Sequence, residues 1–142
     1  PIAEFVRGAC TTVLEETEIV TAIELPTVDG ERGGGYAKRK EPASGNAIVG
    51  VATDLRFEGA DRRVCRSATV AVNGLQESAV RLTAVEDALT GAAVGPATVE
   101  RAAAVAGDSV DAVLDNEKAS ATYRRGLLEP YVDRSVTQAA DT

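Results

Sequence analysis

AIVGVATDLRF (residues 47–57) and VCRSATVAV (residues 64–72) decide the fold. Successive side chains point to opposite faces of a strand. Val49, Val51, Thr53, Leu55 and Phe57 therefore share one face, and Ile48, Gly50, Ala52, Asp54 and Arg56 the other. The first half is apolar on both faces, which predicts a central place in a sheet. In the second run Val64, Ala68, Val70 and Val72 share a face. The polar EGADRR between them turns the chain, so the two runs read as an antiparallel hairpin.

Upstream, EIVTAIELP (18–26) alternates Ile19, Thr21, Ile23 and Leu25 against Val20, Ala22 and Glu24 until Pro26 stops it. This predicts another strand, preceded by a turn in CTTVLEET (10–17). TVDGERGGG (27–35) reads as a flexible loop around the Asp29-Gly30 turn, and YAKRK (36–40) as a short strand.

Downstream the period changes. Thr83 and Glu86 fit a capping box, with Leu82, Val85, Ala88 and Leu89 on one helical face and Gly91 as the stop. GPATVERAAAVAG (95–107) starts a second helix at Pro96. Its buried face, Val99, Ala102, Ala103 and Ala106, is small enough to demand a close partner. A third helix begins near Ala119 or Ser120 with the stripe Tyr123, Leu127, Tyr131 and Val136, and Pro130 should kink or interrupt it. TQAADT (137–142) reads as a frayed tail. Strands followed by helices predict an α+β sandwich: an antiparallel sheet of three to four strands, then three helices packed on one face.

The 142 residues suit one domain. A net charge of −7 argues against a nucleic-acid partner. No apolar run approaches the roughly 20 residues of a membrane span, and Glu4 and Arg7 interrupt any leader-like start. A cytoplasmic location is the expectation. The chain opens on Pro1, as expected of a piece of something longer. With no histidine, Ser-His-Asp and Cys-His chemistry are excluded. Cys10 and Cys65 are too few for a zinc site and read as buried, reduced thiols, with a disulfide between them as the alternative.

The glycines of GGGYAKRKEPASGNA (33–47) lie beside positive charge and invite comparison with a phosphate cradle. Such a cradle needs a helix after the glycines, and a strand follows here. Lys38, Arg39 and Lys40 then read as surface or subunit-contact residues. Glu86, Asp87, Asp108, Asp111 and Asp115 read as capping and solubility groups. Tyr123 reads as a core tyrosine beside exposed Arg124 and Arg125.

Four segments, in order, are similar to one family. TTVLEETEIVTAIELP is similar to T-x-L-x-x-x-E followed by a hydrophobic strand ending in Pro. YAKRKEPASGNAIVGVA is similar to Y-x-K…A-[ILV]-V-[GA]-V-A. VAVNGLQESAVRLTAVEDALTG is similar to a strand, a glycine segment ending in Arg and a helix ending in Gly. ASATYRRGLL is similar to S-A-x-Y-R-R. Together they resemble the C-terminal half of the FAD-binding, medium subunit of molybdenum hydroxylases, the family of carbon monoxide dehydrogenase and xanthine dehydrogenase.

The resemblance implies the same sandwich, with residues 1–30 as the end of a middle FAD-binding subdomain and 31–142 as the C-terminal domain. It implies FAD as cofactor, with the pyrophosphate-binding glycines outside this sequence. Partners would be the N-terminal part of the same subunit, a molybdenum-binding large subunit and a 2Fe-2S small subunit. The domain would support electron transfer from molybdenum and iron–sulfur centres to FAD without being active alone. Carried over by position, Tyr36 approaches the flavin, Ser44, Gly45 and Asn46 form a loop near the ring, and Val20 packs on the cofactor. Many members carry R-R-x-G-D-[FW]-A before the central strand. Here the residue before Ala47 is Asn46, not an aromatic, which removes face-on stacking there. A scaffold or dimerisation domain without cofactor contact is the alternative.

Overall fold

The computed structural model describes residues 1–27, 29–61 and 63–142. Val28 of the expected 27–35 loop and Arg62 of the expected hairpin turn lie outside them. A short helix α1 (Ile2–Phe5) leads into a small hairpin, β1 (Val6–Gly8) and β2 (Thr11–Thr12). The main sheet follows: β3 (Arg32–Lys40), β4 (Ala47–Glu58), β5 (Val64–Asn73) and β6 (Val80–Arg81), antiparallel and in sequence order. Then come α2 (Thr83–Leu89), α3 (Pro96–Ala104), a 3₁₀ turn (Ala106–Ser109), α4 (Ala121–Gly126) and α5 (Leu128–Asp141). The sandwich read from the sequence is the observed architecture, with the expected third helix divided in two.

The hydrophobic pattern explains the layers. The β4 face of Val49, Val51, Thr53, Leu55 and Phe57 is buried, while Ala52 and Glu58 on the opposite face are exposed. Helix α5 lies across β3 and β4, and α2 lies against β5. Burying a Val or Leu completely contributes about 1.5–3 kcal/mol, and Val49, Val51, Leu55, Val70, Val72, Val132 and Val136 are all fully buried. The apolar stripe of α3 (Val99, Ala102, Ala103) is buried, with α5 as its principal helical neighbour.

Several local expectations are corrected. The pattern at 18–26 forms no strand: Ile19, Val20, Ile23 and Leu25 are exposed, and nothing in the main sheet pairs with them. Alternation creates a strand only where a partner supplies hydrogen bonds. The glycine run is no loop but the first half of β3, with Gly33, Gly34 and Gly35 opposite Leu55, Asp54 and Thr53. A Cβ on Gly35 would overlap the Ser135 carbonyl oxygen and crowd Ala139 N, so the missing side chain lets the α5 backbone reach the sheet. The neighbouring Ser135 hydroxyl meets Thr53 Oγ1 at 2.8 Å in the buried interface.

In β5 a register shift sets Phe57 against Cys65 and Arg56 against Ser67. The extra residue of this bulge moves Val64 off the core face and puts Cys65 on it. Burial raises the Cys65 thiol pKa. Cys10, in contrast, is exposed in the β1–β2 turn at φ +54, and both thiols are free.

The capping box is absent. Leu82 occupies the N-cap of α2, and Ser109 Oγ caps from a distance by accepting Ala84 N–H at 3.0 Å. Glu86 is buried and accepts the Val70 N–H at 2.8 Å and Arg81 Nη2 at 2.7 Å. It is a structural staple, not a solubility group. Of the two outcomes expected at Pro130, the helix is interrupted. The break falls at Leu127, and Pro130 sits in the first turn of α5, where N–H groups have no intrahelical partner. The expected tail is ordered helix to Asp141, with Ala139 fully buried.

Candidate functional site

One face of the main sheet carries the α5 and α2 layer. The opposite face of β3–β5 carries the residues that the sequence singles out. Gly35 faces α5, so Tyr36 projects from β3 on the other side and is 50 % exposed. The ladder pairs Tyr36 with Ala52, Lys38 with Gly50, and Gly50 in turn with Asn73. A Cβ on Gly50 would lie 2.8 Å from the Tyr36 hydroxyl and would overlap Asn73 Oδ1. The phenol hydroxyl and the carboxamide oxygen therefore converge over a glycine and occupy the space that any other side chain would need. Farther along this face the residues are charged: Asp54 pairs with Arg32 and reaches Arg56 Nε at 3.9 Å.

The backbone of Tyr36 is held from the opposite direction. Its N–H points off the sheet edge and donates to Gln138 Oε1 at 2.9 Å. Thr142 Oγ1 donates to the Gly34 carbonyl at 3.4 Å on the same edge. The C-terminal turns of α5 thus complete the hydrogen bonding of the strand that carries the tyrosine.

Ser44, Gly45 and Asn46 form the turn between β3 and β4. Glu41 organises it: its carboxylate accepts Ala43 N–H at 2.9 Å and Ser44 N–H at 2.6 Å. Its backbone bonds Asn46 O at 2.8 Å and Gly45 N at 2.9 Å. A hydrogen bond from the Ser44 side chain, those two backbone donors and Lys118 together lower the Glu41 pKa to about 2. Gly45 takes φ +72, a conformation that favours glycine. Ser44 Oγ also accepts Asn46 N–H at 3.2 Å, so this hydroxyl is engaged within the turn. The Asn46 residue is exposed. Lys38 Nζ donates to Gly45 O at 3.1 Å and ties the turn to the open face bearing Tyr36.

Tyr36 and the 44–46 turn are thus linked through Lys38 and Gly50. Val20 stands apart, 52 % exposed in the stretch between β2 and β3. Arg39 and Lys40 are exposed on β3. Among the described residues, no cluster of three metal-ligating side chains occurs. No helix among the described residues is long and apolar enough to cross a membrane.

Sequence reasoning missed four residues of this region: Glu41, Gly50, Asn73 and Arg124. Gly50 could have been found, since a glycine inside a strong strand signals close approach. Arg124 inverts the expectation for its segment. It is 4 % exposed, whereas Tyr123 is 44 % exposed. Arg124 Nη1 donates to Ile48 O at 2.7 Å and Gly74 O at 2.6 Å, Nη2 to Asn116 Oδ1 at 3.1 Å, and Nε to Ala119 O at 3.3 Å. Arg125 bonds Val110 O at 3.2 Å and Asp111 O at 2.9 Å.

Known proteins resemble this chain in sequence and in fold. Residues 35–139 match the family described as the CO dehydrogenase flavoprotein C-terminal domain. The nicotine 6-hydroxylase medium subunit of Paenarthrobacter nicotinovorans is 29 % identical over 132 residues, covering 93 % of this chain and 44 % of the relative. Quinoline 2-oxidoreductase from Pseudomonas putida 86 superposes with a TM-score of 0.83 at 22 % identity, over 97 % of this chain and 46 % of that one, a likeness of fold. Carbon monoxide dehydrogenase from Hydrogenophaga pseudoflava, in a form lacking the Mo-pyranopterin moiety, gives a TM-score of 0.81 at 26 % identity, over 96 % and 46 %. The chain spans less than half the length of each of these relatives.

Proposed function

Because the chain belongs to the CO dehydrogenase flavoprotein C-terminal domain family, we propose that it covers one side of the flavin of FAD in the medium subunit of a molybdenum hydroxylase. The observation that carries this reading is the row Tyr36, Gly50, Asn73. A flat ring needs a flat contact and a few polar groups at its edge. The half-exposed phenol offers the first, Gly50 lets the Tyr36 hydroxyl and the Asn73 carboxamide come together over the strand, and the Asn73 and Asn46 carboxamides supply donors and acceptors. Ser44 and Gly45 shape the turn that presents Asn46. Val20 would join only through a rearrangement of its exposed segment or through a neighbouring part of the subunit.

FAD, when bound, supplies the group that accepts electrons. The residues of this chain would orient the ring and exclude water from one face. The molybdenum-binding and 2Fe-2S subunits would be the source of the electrons, and a cytoplasmic complex is part of the proposal. We further take residues 1–30 as the end of the preceding FAD-binding subdomain and 31–142 as the covering domain. The exposed apolar run at 19–25 supports this division, because its alternation suits a strand completed outside the main sheet. The charged open face of Arg32, Lys38, Asp54 and Arg56 weighs against a scaffold built on an apolar sheet face.

The test is to titrate the 142-residue chain with lumiflavin, a ring without phosphates, and follow amide resonances. Shifts at Tyr36, Gly45, Asn46 and Asn73 are expected. A response confined to the helices, or none, overturns the reading. FAD itself should gain little over lumiflavin, because the pyrophosphate finds no helix N-terminus behind the glycines. Tight stoichiometric FAD binding by flavin fluorescence would contradict this division of labour.

A further inference from the structure

We propose that Arg124 is a positioning residue for the open-face site, a buried brace that fixes where Asn73 and the 46–48 segment stand relative to Tyr36. The proposal rests on the flavin-covering reading for its functional meaning, and on hydrogen-bond geometry for its content. The oxygens that meet the Arg124 guanidinium, those of Ile48, Gly74, Asn116 and Ala119, are neutral carbonyls and an amide. A buried cation without a carboxylate has a large desolvation cost and a modest electrostatic return. What the guanidinium adds is a rigid fork that holds several acceptors at set angles.

Those acceptors border the site. Ile48 lies two residues before Gly50, and Gly74 directly follows Asn73. Gly74 adopts φ +85, and a Cβ there would overlap the Ile48 carbonyl oxygen and lie 3.0 Å from that of Ala47. Two strand ends are therefore pressed together with their carbonyl dipoles side by side, and one nitrogen, Nη1, bridges both. The same side chain holds Asn116 Oδ1, which also accepts Lys118 N–H at 3.1 Å and Ala119 N–H at 3.3 Å. That loop carries Lys118, one of the charges acting on Glu41 in the β3–β4 turn. Release of the fork would let the carbonyls of Ile48 and Gly74 separate. Asn73 would then leave its place over Gly50 without any change in the residues that touch a ligand.

The decisive comparison uses Arg124→Lys, Arg124→Ala and the control Val132→Ala, a fully buried apolar position in α5 that takes no part in these hydrogen bonds. Lysine keeps the charge but loses the fork. Arg124→Lys should unfold in one transition, with resonance changes concentrated at 46–50 and 73–74. Its lumiflavin affinity should fall about tenfold, the size expected for losing one charge-assisted hydrogen bond at the site. Free guanidinium should restore the resonances of Arg124→Ala. Val132→Ala should lose stability yet keep the affinity for the ring. Unchanged resonances at 46–50 and 73–74 in Arg124→Lys would overturn the proposal, as would an equal loss of ring affinity in Val132→Ala. If the wild-type chain ignores lumiflavin, the flavin reading fails, and the resonance changes and guanidinium rescue still decide whether Arg124 braces this corner.

Discussion

Three residues of this chain, Gly35, Glu86 and Glu41, hold local structure that a single substitution or a proton would undo. Gly35 is the strictest. Replacing it with alanine drives a Cβ into the α5 backbone at Ser135 and Ala139, and overpacking of this kind costs about 1–3 kcal/mol. Gly34→Ala, with open space around its Cβ position, should stay within about 0.5 kcal/mol of the parent. Urea unfolding of both variants checks the contrast, and equal midpoints would refute it. Glu86 comes next. Leu82 N–H bonds Val70 O at 2.8 Å while Glu86 takes Val70 N–H, so the start of α2 completes β5 where β6 has ended. Glu86→Ala should cost about 1–3 kcal/mol by leaving that N–H unpaired, and Glu86→Gln distinctly less, measured in the same way. Glu41 makes a pH statement. Its pKa falls from an ordinary 4.5 to about 2. A depressed carboxyl contributes to the folded turn above pH 4.5, and the contribution disappears as pH falls toward 2. The Ala43 and Ser44 amides should therefore titrate with a midpoint near 2, and a midpoint near 4.5 would show that the clamp is absent in solution.

Elements differ in how far local sequence specified them. The β4–β5 hairpin was legible because both strands are half-buried and alternate, and its central place followed from an apolar start on both faces. The same alternation at 18–26 misled, because periodicity reports amphipathicity and not the presence of a partner. The glycines of β3 were misread because a residue without a side chain leaves no period. Their role depends on a helix about a hundred positions later. The bulge that exchanges Val64 for Cys65 cannot be seen without the register. Within the site, Tyr36 and the 44–46 turn were legible from a motif. Arg124 was not, since only the fold reveals that carbonyls from two strand ends point at it. The pairing of β3 with α5 has its own test. Gln138→Ala removes the acceptor of the Tyr36 N–H and should speed hydrogen exchange at that amide about tenfold while exchange at Val51 and Val70 is unchanged. No acceleration at Tyr36 would mean that solvent already reaches the edge.

At the scale of the whole molecule, one thiol is inside the barrier to solvent and one outside. An aromatic disulfide reagent should label one cysteine per native chain, at exposed Cys10, and a second, at buried Cys65, only after denaturation. Rapid labelling of both under native conditions would mean that the hairpin opens easily. The order of assembly follows from α5. Tyr36 and Gln138 are 102 positions apart, and the helix that covers β3 and β4 begins only at Leu128. A growing chain can therefore form the β4–β5 hairpin early and cover β5 with α2, but the β4 part of the apolar face has no roof until α5 emerges. Synthesis would reach that point with Val49, Val51 and Leu55 still wet, a state prone to association with other chains. The three glycines acquire a kinetic meaning in this light. A strand that opens with three residues lacking side chains offers little sticky surface during the wait, and it admits the helix without a search among rotamers when it arrives.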